Sequence, residues 1–305
     1  MSDRKTALDT LAVVLLLVCT ALWGVNQVAM KWALAEMPPL WQSAARSAGA
    51  ALLLAAWARW RGLAVWRLAT TWRGGLLAGL LFAAEFGCIF VGLQYTGASR
   101  MVVFIYLAPF VVALGMPLIA PSERLDRWQA LGLAAAFGGV VWAFADGFGD
   151  PAAAAIGPDQ WLGDALGIAA AVLWGMTTLV LRASRLATAL PEQALLYQLV
   201  ISALALAAGS WAAGEVWPAA LTGASLWPLA FQTVVVTFAS YLAWFWLIRH
   251  YPATRISAFT LLTPVFGLLA GVALLGEPVT PRLLVALGAV SLGIALVNRV
   301  GRRPA

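Results

Sequence analysis

Long apolar runs, separated by short polar or charged stretches, make up most of this chain. Runs of about twenty apolar residues are typical of helices that cross a hydrocarbon core about 30 Å thick. The pattern predicts an all-α integral membrane protein with ten transmembrane helices. These helices cover residues 11–32, 40–59, 73–94, 99–120, 128–145, 161–181, 191–213, 226–248, 255–276 and 281–300.

Prolines support most of these boundaries and predict three bends. Most of them lie at segment ends, where a missing backbone N–H does little harm. Pro109, Pro117 and Pro264 lie inside predicted helices instead. Each of them removes one backbone hydrogen bond, so we expect a kink whose freed carbonyl is satisfied by a neighbouring helix or by water.

Composition supports the membrane assignment and excludes other classes of protein. Hydrophobic residues make up 63% of the chain and charged residues only 10%, and the mean hydropathy of +0.88 is far from that of soluble domains. The net charge of +6 does not indicate a nucleic-acid partner, because Lys and Arg are dispersed between apolar segments. Cys19 and Cys88 lie singly inside such segments and are interpreted as small buried hydrophobic residues.

The distribution of positive charge predicts the topology, because Lys and Arg collect in cytoplasmic loops. With the N-terminus inside, 15 of the 19 Lys and Arg residues fall on the cytoplasmic side. We therefore expect both termini in the cytoplasm. The loop at 146–160 carries three Asp and neither Lys nor Arg, as expected of an outer linker between two halves.

Two sequence patterns recur about half a chain apart. Ala-Leu-Trp-Gly at 21–24 returns as Val-Leu-Trp-Gly at 172–175, and residues 95–109 resemble residues 251–264. Because each copy holds five helices, an odd number, the second copy enters the membrane upside down. Inverted repeats of this kind place a substrate site near the midplane between the copies. The two predicted domains are residues 1–150 and 151–305.

These motifs resemble those of the drug/metabolite transporter (DMT) superfamily, specifically its ten-helix EamA-type exporters. The chain is also similar to the YddG-type aromatic amino-acid exporters. The resemblance implies export of small metabolites, often amino acids, through a central cavity in a bacterial inner membrane. It rests on Arg46, Leu-Trp-Gly at 22–24 and 173–175, the run at 95–100, Leu-Ala-Pro at 107–109, Ser-Glu-Arg-Leu at 122–125, Leu-Thr-Pro at 262–264 and Gly-Glu-Pro at 276–278.

A polar stripe on the first helix is the leading candidate for a substrate surface. Its side chains fall within about a 100° arc of an otherwise apolar helix, and the second copy carries polar residues at matching positions. We expect the two stripes to face a cavity between the halves. The stripe consists of Trp23, Asn26, Gln27 and Met30, and its counterpart of Trp174, Thr177 and Thr178.

Trp23 and Trp174 stand out among the sixteen Trp residues of the chain. Twelve of the others lie at or near predicted helix ends, where indole rings favour the headgroup level. Trp23 and Trp174 are deep and occupy matching positions of the repeats. We predict that they line the cavity, and close packing at the repeat interface is the alternative.

Glu85 is the carboxylate that the pattern places near the middle of a helix. An ionised side chain at that depth is costly and usually faces a bundle interior or water. One interpretation makes Glu85 a partner for a substrate ammonium group or a proton carrier. The other makes it a structural ion-pair partner of Arg46 on the preceding helix, and the sequence leaves both open.

Five further side chains complete the predicted substrate site. Thr237, Ser240 and Trp244 share one face of the eighth helix, while Tyr106 and Tyr197 lie on the fourth and seventh helices. Ser, Thr and Tyr in membrane helices also serve packing, so their assignment depends on where the fold places them.

The sequence shows no catalytic constellation. His250 is its one histidine and lies in a predicted cytoplasmic loop, which argues against a Ser/His triad or a histidine metal site in the membrane. No phosphate-cradling Gly-rich motif is present. We therefore predict a transporter without metal or cofactor, acting as a facilitator or driven by an ion or substrate gradient, and not an enzyme.

The predicted substrate is a small molecule, a neutral or aromatic amino acid, exported by alternating access. The transporter is expected to act as a monomer in contact with membrane lipid and to bind no nucleic acid. An exporter of cationic drugs or quaternary ammonium compounds is the nearer alternative, because aromatic residues and one Glu suit a cation. An integral membrane enzyme acting on lipid-like substrates is a second alternative. A non-transporting sensor or assembly partner, which would need an appended soluble domain or long tail, is a third.

Overall fold

The computed structural model describes residues 8–65, 70–119, 127–144, 157–218, 220–251, 259–260 and 262–297. These residues contain ten long helices, so the predicted all-α membrane fold is confirmed. The helices are α1 (Thr10–Ala33), α2 (Pro39–Trp60), α3 (Trp72–Gly92), α4 (Ala98–Ile105 and Ala108–Ile119), α5 (Arg127–Phe144), α6 (Gln160–Ala183), α7 (Pro191–Ala212), α8 (Gly223–Ala230, Phe231–Ser240 and Tyr241–His250), α9 (Leu262–Leu275) and α10 (Pro281–Val297).

Some sequence predictions fall outside the described residues. They are the greater part of the linker at 146–160, the motif at 122–125, the start of the predicted ninth helix with Arg255, and both chain termini. The predicted domain boundary at 150 lies within the same undescribed stretch and stays a prediction.

Apolar side chains cover the outside of the bundle as well as its interior. Six of the described helices are long and apolar enough to span a membrane, and three shorter ones are also apolar. Leu52, Leu118 and Leu204 are 72%, 88% and 68% exposed. Exposed apolar surface of this extent is typical of helices that face lipid.

Two helices, α4 and α8, are irregular. Helix α4 breaks at Tyr106 and Leu107, because Pro109 cannot donate a hydrogen bond to the carbonyl of Ile105 and its ring crowds that carbonyl. Helix α8 contains Pro228 and then widens into a π-helix over Phe231–Ser240. The kink expected near Pro109 is therefore present as a break.

The contacts between helices follow a two-fold pattern. Helix α1 packs against α8 and α9, and its counterpart α6 packs against α3 and α4; α2 packs against α7, and α5 against α10. If each helix number is raised by five, with α1 following α10, one set of contacts becomes the other. Helices α1 and α6 also run in opposite directions, since α1 ends at the end of the bundle where α6 begins. This is the arrangement of an inverted repeat.

The repeated Leu-Trp-Gly motif has a packing role in both halves. A Cβ on Gly24 would lie 2.6 Å from the backbone nitrogen of Gly267 on α9. A Cβ on Gly175 would lie 2.5 Å from Cβ of Val111 on α4. Each glycine therefore lets its helix cross a neighbour closely, which fixes the position of the Trp that precedes it.

The two ends of the bundle are named here by residues that lie at them. The Lys31 end holds the C-terminus of α1 and the N-terminus of α4, where Lys31 donates a 2.7 Å hydrogen bond to the Thr96 carbonyl. The Asp9 end holds the N-terminus of α1 and the C-terminus of α8. There Asp9 accepts a hydrogen bond from the Ala12 N–H and from the Tyr251 hydroxyl, both at 2.9 Å.

Candidate functional site

Trp23 lies where α1 contacts α8 and meets three side chains of α8. Its indole N–H donates a 2.8 Å hydrogen bond to Ser240 Oγ. Its ring lies edge-on to Trp244 and Tyr241, with centroids 5.0 and 6.2 Å away. Ser240 ends the π-helical stretch of α8, and such wide turns are frequent at functional sites. The structure brings together three predicted site residues and adds Tyr241, which sequence reasoning missed although it lies one turn after Thr237.

Trp174, the counterpart of Trp23, contacts Tyr106 between α6 and α4. The two rings meet edge-on with centroids 5.6 Å apart. Tyr106 stands at the break in α4, so the bend at Pro109 positions its side chain. Tyr106 and Tyr241 are close enough to interact electrostatically, which connects the two halves. We call Trp23, Tyr106, Trp174, Tyr241 and Trp244 the aromatic group.

Arg46 is buried on α2, with 1% of its surface exposed. Its guanidinium carbon lies 3.8 Å from the ring centroid of Phe86 and 5.3 Å from that of Phe90, both on α3. Stacking of this kind covers a face of the guanidinium group and leaves its edges free to donate hydrogen bonds. Neither Nε nor Nη2 has a hydrogen-bond partner among the described residues.

Glu85 precedes Phe86 on α3 and is 5% exposed. Its Oε2 atom has no hydrogen-bond partner in the described part of the chain. Arg46 and Glu85 are close enough to interact electrostatically, yet no nitrogen–oxygen distance of 4.0 Å or less joins these two described side chains. The structural ion pair that the sequence left open is therefore not formed in this structure.

Further buried polar atoms without a partner lie on the surrounding helices. Asn26 and Gln27 on α1 are 5% and 8% exposed. Among the described residues, their side-chain oxygens have no partner, and neither do the hydroxyls of Ser43 on α2 and Thr237 on α8. An unpartnered buried polar group costs about 1–3 kcal/mol. Buried water or a bound ligand is the usual way in which such groups are satisfied.

Met30, the last member of the predicted stripe, is buried beside a pair of glutamines. Gln42 donates hydrogen bonds to the Met30 carbonyl at 3.2 Å and to Gln232 Oε1 at 3.3 Å. Gln232 in turn donates to the Ala29 carbonyl at 3.2 Å. These bonds hold together α1, α2 and α8, the helices that carry the stripe, Arg46 and the π-helical stretch.

Thr177 and Thr178 direct their hydroxyl protons to their own helix. Thr177 donates to the Leu173 carbonyl at 2.9 Å, and Thr178 to the Trp174 carbonyl at 3.1 Å. Such bonds are common for Thr in membrane helices. Of the predicted counterpart stripe on α6, the structure brings Trp174 into the aromatic group.

Tyr197 belongs to a different contact cluster, near the Asp9 end. Its hydroxyl shares a 3.1 Å hydrogen bond with Thr71 Oγ1, to which Gln193 also donates at 3.1 Å. Its ring covers Gly75, where a Cβ would lie 2.5 Å from the ring. The structure thus places Tyr197 in the packing between α3 and α7.

A second buried arginine joins α4 to α6 at the Lys31 end. Arg100 and Asp164 are 4% and 0% exposed. Arg100 Nε lies 3.2 Å from both carboxylate oxygens of Asp164, and Nη2 also donates to Asp164. Thr96 donates a further 2.6 Å hydrogen bond to the same carboxylate. Two-pronged bonds between Arg and a carboxylate are among the strongest in proteins, and the sequence analysis did not find this pair.

Glu277 follows α9 in the second half and binds the start of α4 at the same end. Its carboxylate accepts hydrogen bonds from the N–H groups of Ala98 and Ser99, at 2.7 and 2.9 Å, and from the Ser99 hydroxyl at 2.5 Å. These N–H groups begin α4 and have no partner within the helix. Lys31 Nζ lies 3.7 Å from Glu277. The two networks together join α1, α4, α6 and α9.

The described side chains offer groups for binding rather than for catalysis. Among them, no cluster of three or more His, Cys, Asp or Glu residues could hold a metal ion. His250 stacks on Trp246 and contacts its carbonyl at 2.7 Å. The guanidinium of Arg46, the carboxylate of Glu85 and the aromatic group can together hold a small molecule in a defined orientation.

Known proteins of similar sequence are transporters or are uncharacterized. The chain is 28% identical over 295 residues to the uncharacterized transporter YvbV of Bacillus subtilis, covering 95% of this chain and 92% of the relative. It is 23% identical to the uncharacterized transporter YoaV of the same organism, covering 90% and 92%. It is 30% identical to the uncharacterized protein PA1977 of Pseudomonas aeruginosa, covering 76% and 75%.

Similarity to a solved structure and to a known family covers nearly the whole chain. One solved structure, described as the crystal structure of a protein, superposes with a TM-score of 0.67 at 19% identity, over 96% of this chain and 99% of the other. That likeness shows the fold alone. The EamA-like transporter family matches residues 10–145 and 161–299, one stretch in each half. The chain therefore belongs to the EamA-like transporter family, as the sequence predicted, and is a membrane transporter and not an enzyme.

Proposed function

We propose that this transporter exports neutral amino acids, above all aromatic ones, from a site lined by the aromatic group. The observation that carries the proposal is the composition of that group, which combines rings from α1, α4, α6 and α8. One of these rings, Tyr241, lies within electrostatic reach of Arg46 on α2 and Glu85 on α3. Aromatic rings bind apolar and aromatic side chains through large buried areas and edge-on contacts. The YddG-type resemblance supports both this substrate class and the outward direction.

Alternating access supplies the mechanism, because inverted repeats allow one end of the bundle to open while the other closes. The networks of Arg100 and Glu277 join α4 to α6 and α9 at the Lys31 end, which supports assigning that end as the closed one. The excess of Lys and Arg at the opposite end supports cytoplasmic termini in a bacterial inner membrane, so the closed Lys31 end is assigned to the outside. A reporter enzyme fused to the C-terminus, active only in the cytoplasm, tests that orientation.

Transport by the purified protein in proteoliposomes tests the substrate class. Liposomes loaded with unlabelled amino acid are placed in labelled L-phenylalanine, L-tryptophan or L-leucine, and uptake by exchange is compared with that of protein-free liposomes. We expect exchange to exceed the protein-free rate at least about tenfold for one or more of these amino acids. Rates equal to those of empty liposomes across the neutral amino acids would remove the proposal.

Single substitutions test the aromatic group. Trp23→Ala and Trp174→Ala are each expected to lower the exchange rate at least about fivefold, because each removes a ring contact worth about 1 kcal/mol or more. Trp211→Ala is the matched control, since Trp211 lies at the end of α7 and is 83% exposed. Rates are normalised to the folded fraction measured by size-exclusion chromatography. Equal rates in all three variants would show that the aromatic group does not contact the substrate.

Export of quaternary ammonium compounds is the second candidate function. Glu85 favours it, because a buried carboxylate beside aromatic rings suits a cation. Arg46 weighs against it, because a buried guanidinium close to Glu85 repels a second positive charge. Growth of cells in toxic quaternary ammonium compounds, with and without the expressed protein, distinguishes the two functions.

A further inference from the structure

Arg46 and Glu85 lie at the same depth in the bundle. Arg46 is seven residues after Pro39, where α2 begins, and Glu85 is seven residues before Gly92, where α3 ends. Both of these helix ends lie at the Lys31 end, so both side chains arise about 10 Å below it. An arginine and a glutamate are therefore buried at one level, within electrostatic reach of each other but not in contact.

Arg46 leaves unpartnered the same edge of its guanidinium group with which Arg100 binds a carboxylate. Arg100 holds Asp164 through Nε and Nη2. The same two atoms of Arg46 have no partner among the described residues. The Phe86 ring, 3.8 Å from the guanidinium carbon, holds the group in place. Arg46 is thus oriented, by a contact on its face, to offer a carboxylate-binding edge.

We propose that Arg46 binds the α-carboxylate and Glu85 the α-ammonium group of one substrate molecule, while the aromatic group receives its side chain. This inference rests on the proposed function and narrows it to zwitterions with both groups free. With Glu85 ionised, the charges of Arg46 and Glu85 sum to zero, so a zwitterion leaves neither of them uncompensated. A plain amine or a plain carboxylate leaves one buried charge unpaired, and a site built for a polar group strongly rejects analogues that lack it.

Unpartnered polar atoms on α1 support a polar ligand over an apolar one. Asn26 and Gln27 on α1 present side-chain oxygens without a partner in the described part of the chain, and both residues are more than nine-tenths buried. These oxygens accept hydrogen bonds and are suited to the N–H groups of an ammonium. They lie on the same helix as Trp23, which belongs to the aromatic group.

Competition within one compound series tests the inference. The neutral amino acid that exchanges fastest is compared with its own amide, which lacks the carboxylate, and with its deaminated acid, which lacks the ammonium group. For L-phenylalanine these compounds are phenylalaninamide and 3-phenylpropionate. We expect each of them to inhibit exchange at least about tenfold more weakly than the parent amino acid.

Substitutions assign the two charges to the two ends of the substrate. The measured quantity is the inhibition constant of each analogue divided by that of L-phenylalanine in the same variant. Glu85→Gln is expected to lower this ratio about tenfold for 3-phenylpropionate. Arg46→Gln is expected to lower it by a similar factor for phenylalaninamide. Ser210→Ala, which removes a buried unpartnered hydroxyl on α7, is the control and keeps both ratios. Because each ratio is measured within one variant, a loss of folded protein does not change it.

The outcomes separate this inference from the proposed function. If a neutral amino acid is exchanged and its amide and deaminated acid compete equally well, the zwitterion site is overturned while the proposed function stands. If the double variant Arg46→Gln/Glu85→Gln keeps the ratios of the unmodified protein, the two charges do not contact substrate. If no neutral amino acid is exchanged at all, both proposals fall.

Discussion

Arg46 and Arg100 are both buried and both lie over a phenylalanine, but they differ in what meets their guanidinium edge. Arg100 is 4% exposed and binds Asp164 through Nε and Nη2. Arg46 is 1% exposed, and the same two atoms have no partner among the described residues. A buried charge that is fully paired fixes a fold, whereas one left without hydrogen bonds is a candidate for a ligand.

The positions of the two arginines fit this division. Arg100 lies in the first turn of α4, where it joins α4 to α6 and closes the Lys31 end. Arg46 lies deeper, near Glu85 and Tyr241, within electrostatic reach of both. Under the proposed alternating access, the first region would open and close, while the second would stay intact and exchange its ligand.

The largest effect is expected from breaking the satisfied pair. Asp164→Asn leaves the buried Arg100 charge uncompensated and should lower the free energy of unfolding by about 3–5 kcal/mol. Glu85→Gln breaks no ion pair or hydrogen bond that the structure shows and should cost about 1 kcal/mol or less. Denaturant unfolding in detergent measures both. Equal losses of unfolding free energy in the two variants would mean that Arg100 does not depend on its carboxylate partner more than Arg46 does.

A smaller effect is expected at the other network of the Lys31 end. Glu277→Gln keeps the size of the side chain but replaces charge-assisted hydrogen bonds to Ala98 and Ser99 with weaker ones. The expected loss is about 1–3 kcal/mol. Glu277→Asp serves as the comparison, because it keeps the charge and shortens the reach. An unchanged free energy of unfolding in both variants would show that the hydrogen bonds of Glu277 do not stabilise the Lys31 end.

The bond between Trp23 and Ser240 gives a neutral contrast to the charged contacts. Trp23→Phe keeps an aromatic ring and removes the N–H that donates to Ser240, so the expected cost is about 1 kcal/mol. Ser240→Ala removes the acceptor. A double-mutant cycle should give a coupling energy of about 0.5–1.5 kcal/mol. A coupling of zero would show that Trp23 is held by ring packing alone.

Local patterns were sufficient to predict the helices. The observed helices begin and end close to the predicted boundaries because apolar runs and prolines are local signals. The break at Tyr106 follows from Pro109 in the same way, although the change in α8 to a π-helix over Phe231–Ser240 had no such signal. The repeated Trp-Gly motif correctly indicated an inverted repeat.

Side-chain partners were harder to predict, because they depend on contacts between distant segments. Glu277 caps α4 across 179 and 178 residues of sequence, and Arg100 meets Asp164 across 64. All three residues lie near helix ends, where charges ordinarily face water. Trp23 could be identified from its stripe, but Thr178 faces its own backbone and Tyr197 packs near Thr71, outcomes that helical spacing alone does not distinguish.

The smallest expected effect concerns Glu36, a carboxylate at the surface of the Lys31 end. Hydrogen bonds from the Ser225 hydroxyl, and then from the hydroxyl and N–H of Thr222, lower the pKa of Glu36 below its usual value of 4.5. Since the folded pKa is the lower one, these bonds stabilise the protein above pH 4.5, and their contribution is lost as the pH falls through the folded pKa.

The contribution of Glu36 is therefore isolated by comparing two acid profiles. Between pH 6 and about pH 3, the melting temperature of the unmodified protein should fall slightly more than that of Glu36→Gln, whose side chain does not titrate. Because Glu36 is exposed to solvent and salt, the difference should be smaller than any effect of Asp164→Asn, Glu277→Gln or Trp23→Phe. Parallel profiles would show that this cap, unlike the buried pair of Arg100, contributes nothing to the closed end.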